Sequence, residues 1–117
     1  MGKRILIVDD SAMMRKMIRK ILMEQGHEIV GDAKNGEEAL SLYKTLKPDV
    51  VTMDITMRVM DGFTAAREIM DYDDRANIIF LSNLEKSTYS KDAEKIGAIG
   101  YVSKSDSKEI LALIDKL

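Results

Sequence analysis

Three aspartates, one serine and one lysine stand at the ends of apolar runs, and side chains of these types could together hold a divalent cation and a phosphoryl group. Asp9 and Asp10 close the run Arg4-Ile-Leu-Ile-Val-Asp-Asp10, Asp54 closes Asp49-Val-Val-Thr-Met-Asp54, Ser82 closes Ile78-Ile-Phe-Leu-Ser82, and Lys104 follows Tyr101-Val-Ser103. Short runs rich in Val and Ile read as strands buried on both faces, and a parallel sheet gathers the carboxyl ends of its strands along one edge. Acids far apart in the chain then meet in one crevice. Two unit charges about 5 Å apart repel by about 3 kcal/mol at an effective dielectric of roughly 20, so three ionised carboxylates need a compensating cation or must take up protons. Oxygens from Asp9, Asp10, Asp54 and a backbone carbonyl of the loop after Asp54 suit octahedral Mg²⁺. A central carboxylate such as Asp54 can attack phosphorus directly, while the metal, Lys104 and the Ser82 hydroxyl take up charge on the equatorial oxygens.

The elements that must carry these residues alternate. Strands are expected near residues 4–9, 28–33, 49–54, 77–82 and 99–103. Between them, apolar residues recur at helical spacing: Met14, Ile18, Ile21 and Leu22; Ala39, Leu42, Tyr43 and Leu46; Phe63, Ala66, Ile69 and Met70; Tyr89, Ala93 and Ile96; Ile110, Leu113, Ile114 and Leu117. The last helix is expected to start at Ser105 to Ser107, where small polar residues can cap free N–H groups, and Gly26 and Gly97 sit where helix C-terminal caps belong. The alternation predicts a doubly wound α/β domain with a five-stranded parallel sheet. Glu28-Ile-Val-Gly-Asp-Ala33 is the most polar strand and is placed at an edge. That choice gives the order 2-1-3-4-5, with the first and third strands adjacent and a topological switch point at their carboxyl ends.

With 117 residues, the chain is expected to form a single domain over 1–117. Lys and Arg total 18 against 20 for Asp and Glu, with no blocks of one sign, so neither nucleic acid nor an anionic membrane is expected as a partner. The absence of Cys excludes disulfides and thiolate chemistry, and no apolar run approaches the roughly 20 residues of a membrane span. A cytoplasmic protein is expected. Nine methionines are expected mostly as core filler, with some available to an adaptable docking surface.

In order and spacing, Asp9-Asp10-Ser11, Asp54 within Met53-Asp-Ile-Thr-Met57, Met60-Asp-Gly62, Ser82, Gly97-Ala98, and Tyr101 three residues before Lys104 form a specific set. Through them the chain resembles, over essentially its whole length, the receiver domain of bacterial two-component response regulators in the stand-alone CheY-like form. The resemblance implies a flavodoxin-like fold and a non-enzymatic, monomeric signalling protein. It implies that Asp54 accepts a phosphoryl group from a histidine kinase or phosphotransfer protein, and that Asp9, Asp10 and Asp54 hold Mg²⁺ with the Thr56 carbonyl. Ser82 and Lys104 would grip the phosphoryl group. Ser82 would then move toward it and Tyr101 turn into the vacated space, reshaping the face of the fourth helix, fifth strand and fifth helix for a downstream protein target. Chemotaxis is the first pathway to consider.

Three positions depart from the usual pattern. Arg58 stands where proline is common, so the loop after Asp54 loses a fixed φ and gains a cation. Ser105 follows Lys104 where a proline, often cis, is usual; a trans bond is expected, because cis without proline costs about 2.5 to 4 kcal/mol. Asn83 replaces a small residue after Ser82 and could narrow the site or add an amide donor. Thr56 and Leu84 occupy positions that in the family influence water attack on the aspartyl phosphate.

Plainer readings exist for each residue taken alone. Asp10 and Ser11 could simply cap a helix, Asp54 could be a solvated strand-end acid, Lys104 a surface lysine, and Tyr101 half-buried packing. His27, after Gly26 in a turn, reads as a surface residue. Their coincidence on successive strand ends carries the site. The competing function is a pseudo-receiver, an interaction module acting without phosphate, to which Arg58 and Ser105 lend support. A Mg²⁺-dependent phosphohydrolase would need a second acid where Thr56 stands. A flavin or nucleotide site would need a glycine-rich phosphate loop where the sequence has Asp9 and Asp10.

Overall fold

The computed structural model describes residues 2–117. The order is β1 (Arg4–Val8), α1 (Ala12–Glu24), β2 (Glu28–Ala33), α2 (Gly36–Leu46), β3 (Val50–Met53), α3 (Gly62–Tyr72), β4 (Ile78–Ser82), α4 (Lys86–Ile96), β5 (Gly100–Ser103), a 3₁₀ turn (Lys104–Asp106) and α5 (Glu109–Asp115). The strands form one sheet in the order β2-β1-β3-β4-β5, all neighbours parallel, and polar β2 lies at its edge as expected.

Alternation along each strand splits the core in two. Leu6 and Val8 of β1, Val51 and Met53 of β3, and Ile78 and Phe80 of β4 face α2, α3 and α4, where Ala39, Ala65, Ala66 and Ala93 let the helices approach closely. Ile5, Ile7, Val50, Ile79, Leu81 and Val102 face α1 and α5, meeting Ile18, Leu22, Ile110 and Ile114. The methionines divide: Met53 is fully buried, Met14, Met57, Met60 and Met70 pack partly buried against the two cores, and Met13, Met17 and Met23 are exposed.

Three helices begin at the carboxyl edge of the sheet with side-chain caps. Ser11 Oγ accepts from Met14 N at 3.2 Å, Asn35 Oδ1 from Glu38 N at 2.8 Å, and Asp61 Oδ1 from Thr64 N at 2.8 Å. At the other ends, Gly26 and Gly97 take positive φ values of 83° and 103°, so both glycines close helices. The start of the last helix differs from the expectation. Residues 104–106 form a 3₁₀ turn and α5 begins at Glu109 without a side-chain cap; Ser105 Oγ instead pairs with Ser103 Oγ at 2.9 Å. The apolar pattern from Ile110 onward located this helix better than the serines, whose hydroxyls bond locally in the turn.

Candidate functional site

Register brings the acids together. Val8 of β1 is opposite Met53 of β3, and the ladder continues one residue beyond both strands: Asp54 N donates to Val8 O at 2.9 Å and Asp9 N to Ala33 O at 3.0 Å. Asp9 and Asp54 therefore lie side by side, just past the strand ends rather than within them. Carboxylate oxygens of Asp9, Asp10 and Asp54 all lie within 4.8 Å of one another. Asp9 and Asp54 are buried and Asp10 is exposed. Asp10, Asp54, Thr56, Ser82, Asn83, Leu84 and Lys104 line a single cleft of about 210 Å³.

Lys104 supplies the opposing charge. Its Nζ lies 2.9 Å from Asp9 Oδ2 and 3.4 Å from Asp54 Oδ2. Burial works against the ammonium, but its close contact with Asp9 and the charges of Asp54 and Asp9 outweigh it, so the Lys104 pKa rises. One cation does not neutralise three acids. Burial first, and then repulsion from Asp9, push the Asp54 carboxyl up to about 6, against the opposing pull of Lys104 and of the Ile55 amide, which donates to Oδ1 at 2.9 Å. Asp9 Oδ1 accepts from Ser11 N at 2.9 Å, whereas its buried Oδ2 has the Coulombic contact with Lys104 and no well-directed hydrogen bond. An all-oxygen set with a buried, under-satisfied carboxylate oxygen fits a hard divalent cation such as Mg²⁺.

The floor of the cleft depends on a glycine. A Cβ on Gly62 would sit 1.9 Å from the Asp54 carbonyl oxygen, and Gly62 N donates to Ile55 O at 2.7 Å. The start of α3 is thereby pressed against the backbone that presents Asp54. Any larger residue would push the two apart. Between them the β3–α3 loop turns sharply at Val59, with φ of 70°, where Met60 N reaches back to Arg58 O at 2.7 Å across a γ-turn. Nothing in the sequence foretold a β-branched residue in this conformation. Arg58 is exposed and makes no ion pair among the described residues, so the loop cation expected near the site is not engaged with its acids.

On the opposite wall, Ser82 Oγ accepts from Leu84 N at 3.0 Å, and the Tyr101 hydroxyl donates to Leu84 O at 3.0 Å. Tyr101 is buried, its ring packed in the core between β4 and α4. Asn83 is exposed on the rim without a hydrogen bond among the described residues. The Lys104–Ser105 peptide is trans, since the described residues contain no cis bond. His27 lies at the other end of the sheet, where its Nδ1 accepts from Lys3 N at 3.0 Å. Sequence reasoning missed Arg15, whose Nη1 donates to the Asp9 carbonyl at 2.8 Å. Its only sequence signal is a basic residue five to six positions after the acids, a spacing that also suits a solvated helix face.

A doubly wound parallel sheet with clustered acids and a lysine at its switch point defines the receiver class of signalling domain. The response regulator receiver domain model matches residues 5–115, and the chain belongs to that family. Among its relatives, the chemotaxis protein CheY of Thermotoga maritima is 49% identical over 104 residues, covering 89% of this chain and 87% of the relative. The Bacillus subtilis chemotaxis protein CheY is 45% identical over 117 residues, covering 99% and 98%. Among solved structures, CheY in a CheX-CheY-BeF₃-Mg²⁺ complex from Borrelia burgdorferi superposes with a TM-score of 0.90 at 38% identity, over 95% of this chain and 85% of that one. Among the described residues no helix is long and apolar enough to cross a membrane.

Proposed function

We propose that this response regulator accepts a phosphoryl group on Asp54 from a histidine kinase or phosphotransfer protein, and signals as a monomer through altered protein binding in a chemotaxis-type circuit. The observation that carries this reading is the meeting of the Asp9, Asp10 and Asp54 oxygens within 4.8 Å, with Lys104 Nζ at 2.9 and 3.4 Å from two of them. The relatives named as chemotaxis proteins, and the neighbour whose complex contains BeF₃ and Mg²⁺, support the same reading.

In the transfer, an Asp54 carboxylate oxygen forms a P–O bond while the P–N bond of a donor phosphohistidine breaks, its electron pair leaving on the imidazole nitrogen. Asp9, Asp10, Asp54 and the Thr56 carbonyl would hold Mg²⁺, which when bound offsets the negative charge that acids and phosphate share. Lys104 exchanges its contact with Asp54 for one with the phosphoryl oxygens. Ser82 turns its hydroxyl from the Leu84 amide toward the same oxygens. Because Leu84 O accepts from Tyr101, that movement reaches β5. The hollow of about 490 Å³ between α4, β5 and α5, bordered by Lys86, Ser90, Tyr101, Glu109 and Leu113, lies on the face offered to a downstream target. Asn83 and Leu84 on the rim, Thr56 beside the acceptor, and Arg58 and Ser105 at the site's flanks are the positions where phosphoryl lifetime would be tuned.

Incubation with Mg²⁺ and acetyl phosphate, followed by intact-mass measurement, tests the proposal. A labile, Mg²⁺-dependent phosphoryl adduct is expected on the wild type and not on Asp54→Asn. An adduct that survives in Asp54→Asn would move the acceptor elsewhere, and no adduct on either protein would favour the phosphate-independent interaction module.

A further inference from the structure

Arg15 lies outside the cleft but grips its frame. Its Nη1 donates to the Asp9 carbonyl at 2.8 Å, while its Nε faces Asp32 Oδ2 at 3.9 Å, an oxygen that also accepts from Arg19 Nη2 at 2.9 Å. The Arg15 side chain is only 20% exposed, so this arrangement is partly shielded from water. Asp9 and Asp10 flank one peptide, and rotation of that peptide plane would swing two of the three acids. Its Asp9 side is tethered by the amide to Ala33 O at 3.0 Å and by Oδ1 to Ser11 N at 2.9 Å. Its carbonyl is tethered by a guanidinium anchored on the edge strand.

We propose that Arg15, braced by Asp32, is a positioning residue for the cation site, locking the Asp9–Asp10 peptide so that Asp10 stays within reach of Asp9 and Asp54. The inference rests on the reading of those three acids as Mg²⁺ ligands. Groups that orient metal ligands from behind commonly matter tenfold or more to affinity. Two effects of Arg15 have opposite signs, which makes the role measurable. As a bare positive charge it repels Mg²⁺, so its removal should tighten binding; as a clamp it orders the ligands, so its removal should loosen binding. The planar fork can bond a carbonyl while facing a carboxylate, which a lysine ammonium does less well.

Isothermal titration of Mg²⁺ into the full chain, paired with the thermal midpoint of each metal-free protein, decides between them. Arg15→Ala is expected to weaken Mg²⁺ binding about tenfold, and Arg15→Lys several-fold although its charge is kept. Lys16→Ala removes the same charge from the same helix without touching Asp9, and should leave affinity unchanged or slightly tighter. Amide exchange at Asp10 and Ser11 should accelerate in Arg15→Lys, a local readout independent of metal. Unchanged or tighter binding in Arg15→Lys would overturn the clamp while leaving the cation site standing. Failure of the wild type to bind Mg²⁺ at all would overturn the cation site itself, and this role with it.

Discussion

The two ends of the sheet treat charge in opposite ways. At the amino end, polar groups find partners: Arg4 donates to Lys47 O and Leu46 O at 2.8 and 2.9 Å, and its amide to Asp49 Oδ2 at 2.8 Å. Asn77 Nδ2 donates to Asp49 O at 3.1 Å, and the Tyr43 hydroxyl to Asp73 Oδ2 at 2.7 Å. At the carboxyl end, two of three clustered acids share one lysine and a buried oxygen of Asp9 goes without a directed hydrogen bond. One end of the sheet is satisfied and stabilising. The other is held under electrostatic tension by the stability of the rest, a division that the proposed ion binding and phosphoryl transfer would require.

Relieving the tension should show the largest effect. In metal-free protein the folded state keeps the Asp54 proton up to about 6, whereas the unfolded chain releases it near the usual value of about 3.9. The folded state therefore loses stability as pH rises from about 4 through about 6, by an amount on the order of 3 kcal/mol, and regains it on acidification. Asp54→Asn lacks this penalty, so chemical denaturation in EDTA should find it more stable than wild type at pH 7.5 and not at pH 4. Equal stabilities at both values would mean that the tension is absent. Adding Mg²⁺ should narrow the gap by stabilising the wild type.

Damaging the satisfied end should cost less. Tyr43→Phe removes the hydroxyl from Asp73 and keeps the ring, so a loss of about 1 kcal/mol is expected. The loss should shrink at low pH, because hydrogen bonding from Tyr43 and from the Arg75 amide lowers the Asp73 pKa, and that contribution fades as pH falls through it. A pH-independent loss would assign the effect to packing. The smallest change belongs to the loop after β3 at the carboxyl end: Val59→Gly should relieve the positive-φ strain of a β-branched residue and stabilise by a few tenths of a kcal/mol, after the greater unfolded-state freedom of glycine is subtracted. Destabilisation instead would show the γ-turn to be unstrained.

Residues whose role follows from period or from position at a strand end were legible. Ile5 to Val8 and Val50 to Met53 announce buried strands, and the acids after them announce a shared edge, because register in a parallel sheet leaves few alternatives. Polar β2 found its edge for the same reason. What escaped depends on contacts made across the fold. Arg15 looks like any basic residue on α1 until its guanidinium meets the Asp9 carbonyl, and Tyr43 reads as an apolar helix position until its hydroxyl meets Asp73. The 3₁₀ turn at Lys104 was hidden by serines that resemble caps, and the γ-turn at Val59 by a residue type that ordinarily argues against it.

Leu84 is held at both of its backbone polar atoms by side chains from two neighbouring strands, its N–H by Ser82 and its C=O by Tyr101. Such a residue acts as a coupling link: whichever partner lets go first changes the tether felt by the other. The loop from Ser82 to α4 thus joins the wall of the acidic cleft to a tyrosine of β5 through one residue. A residue whose N–H is one strand's handle and whose carbonyl is another strand's latch needs no large motion to carry news between them.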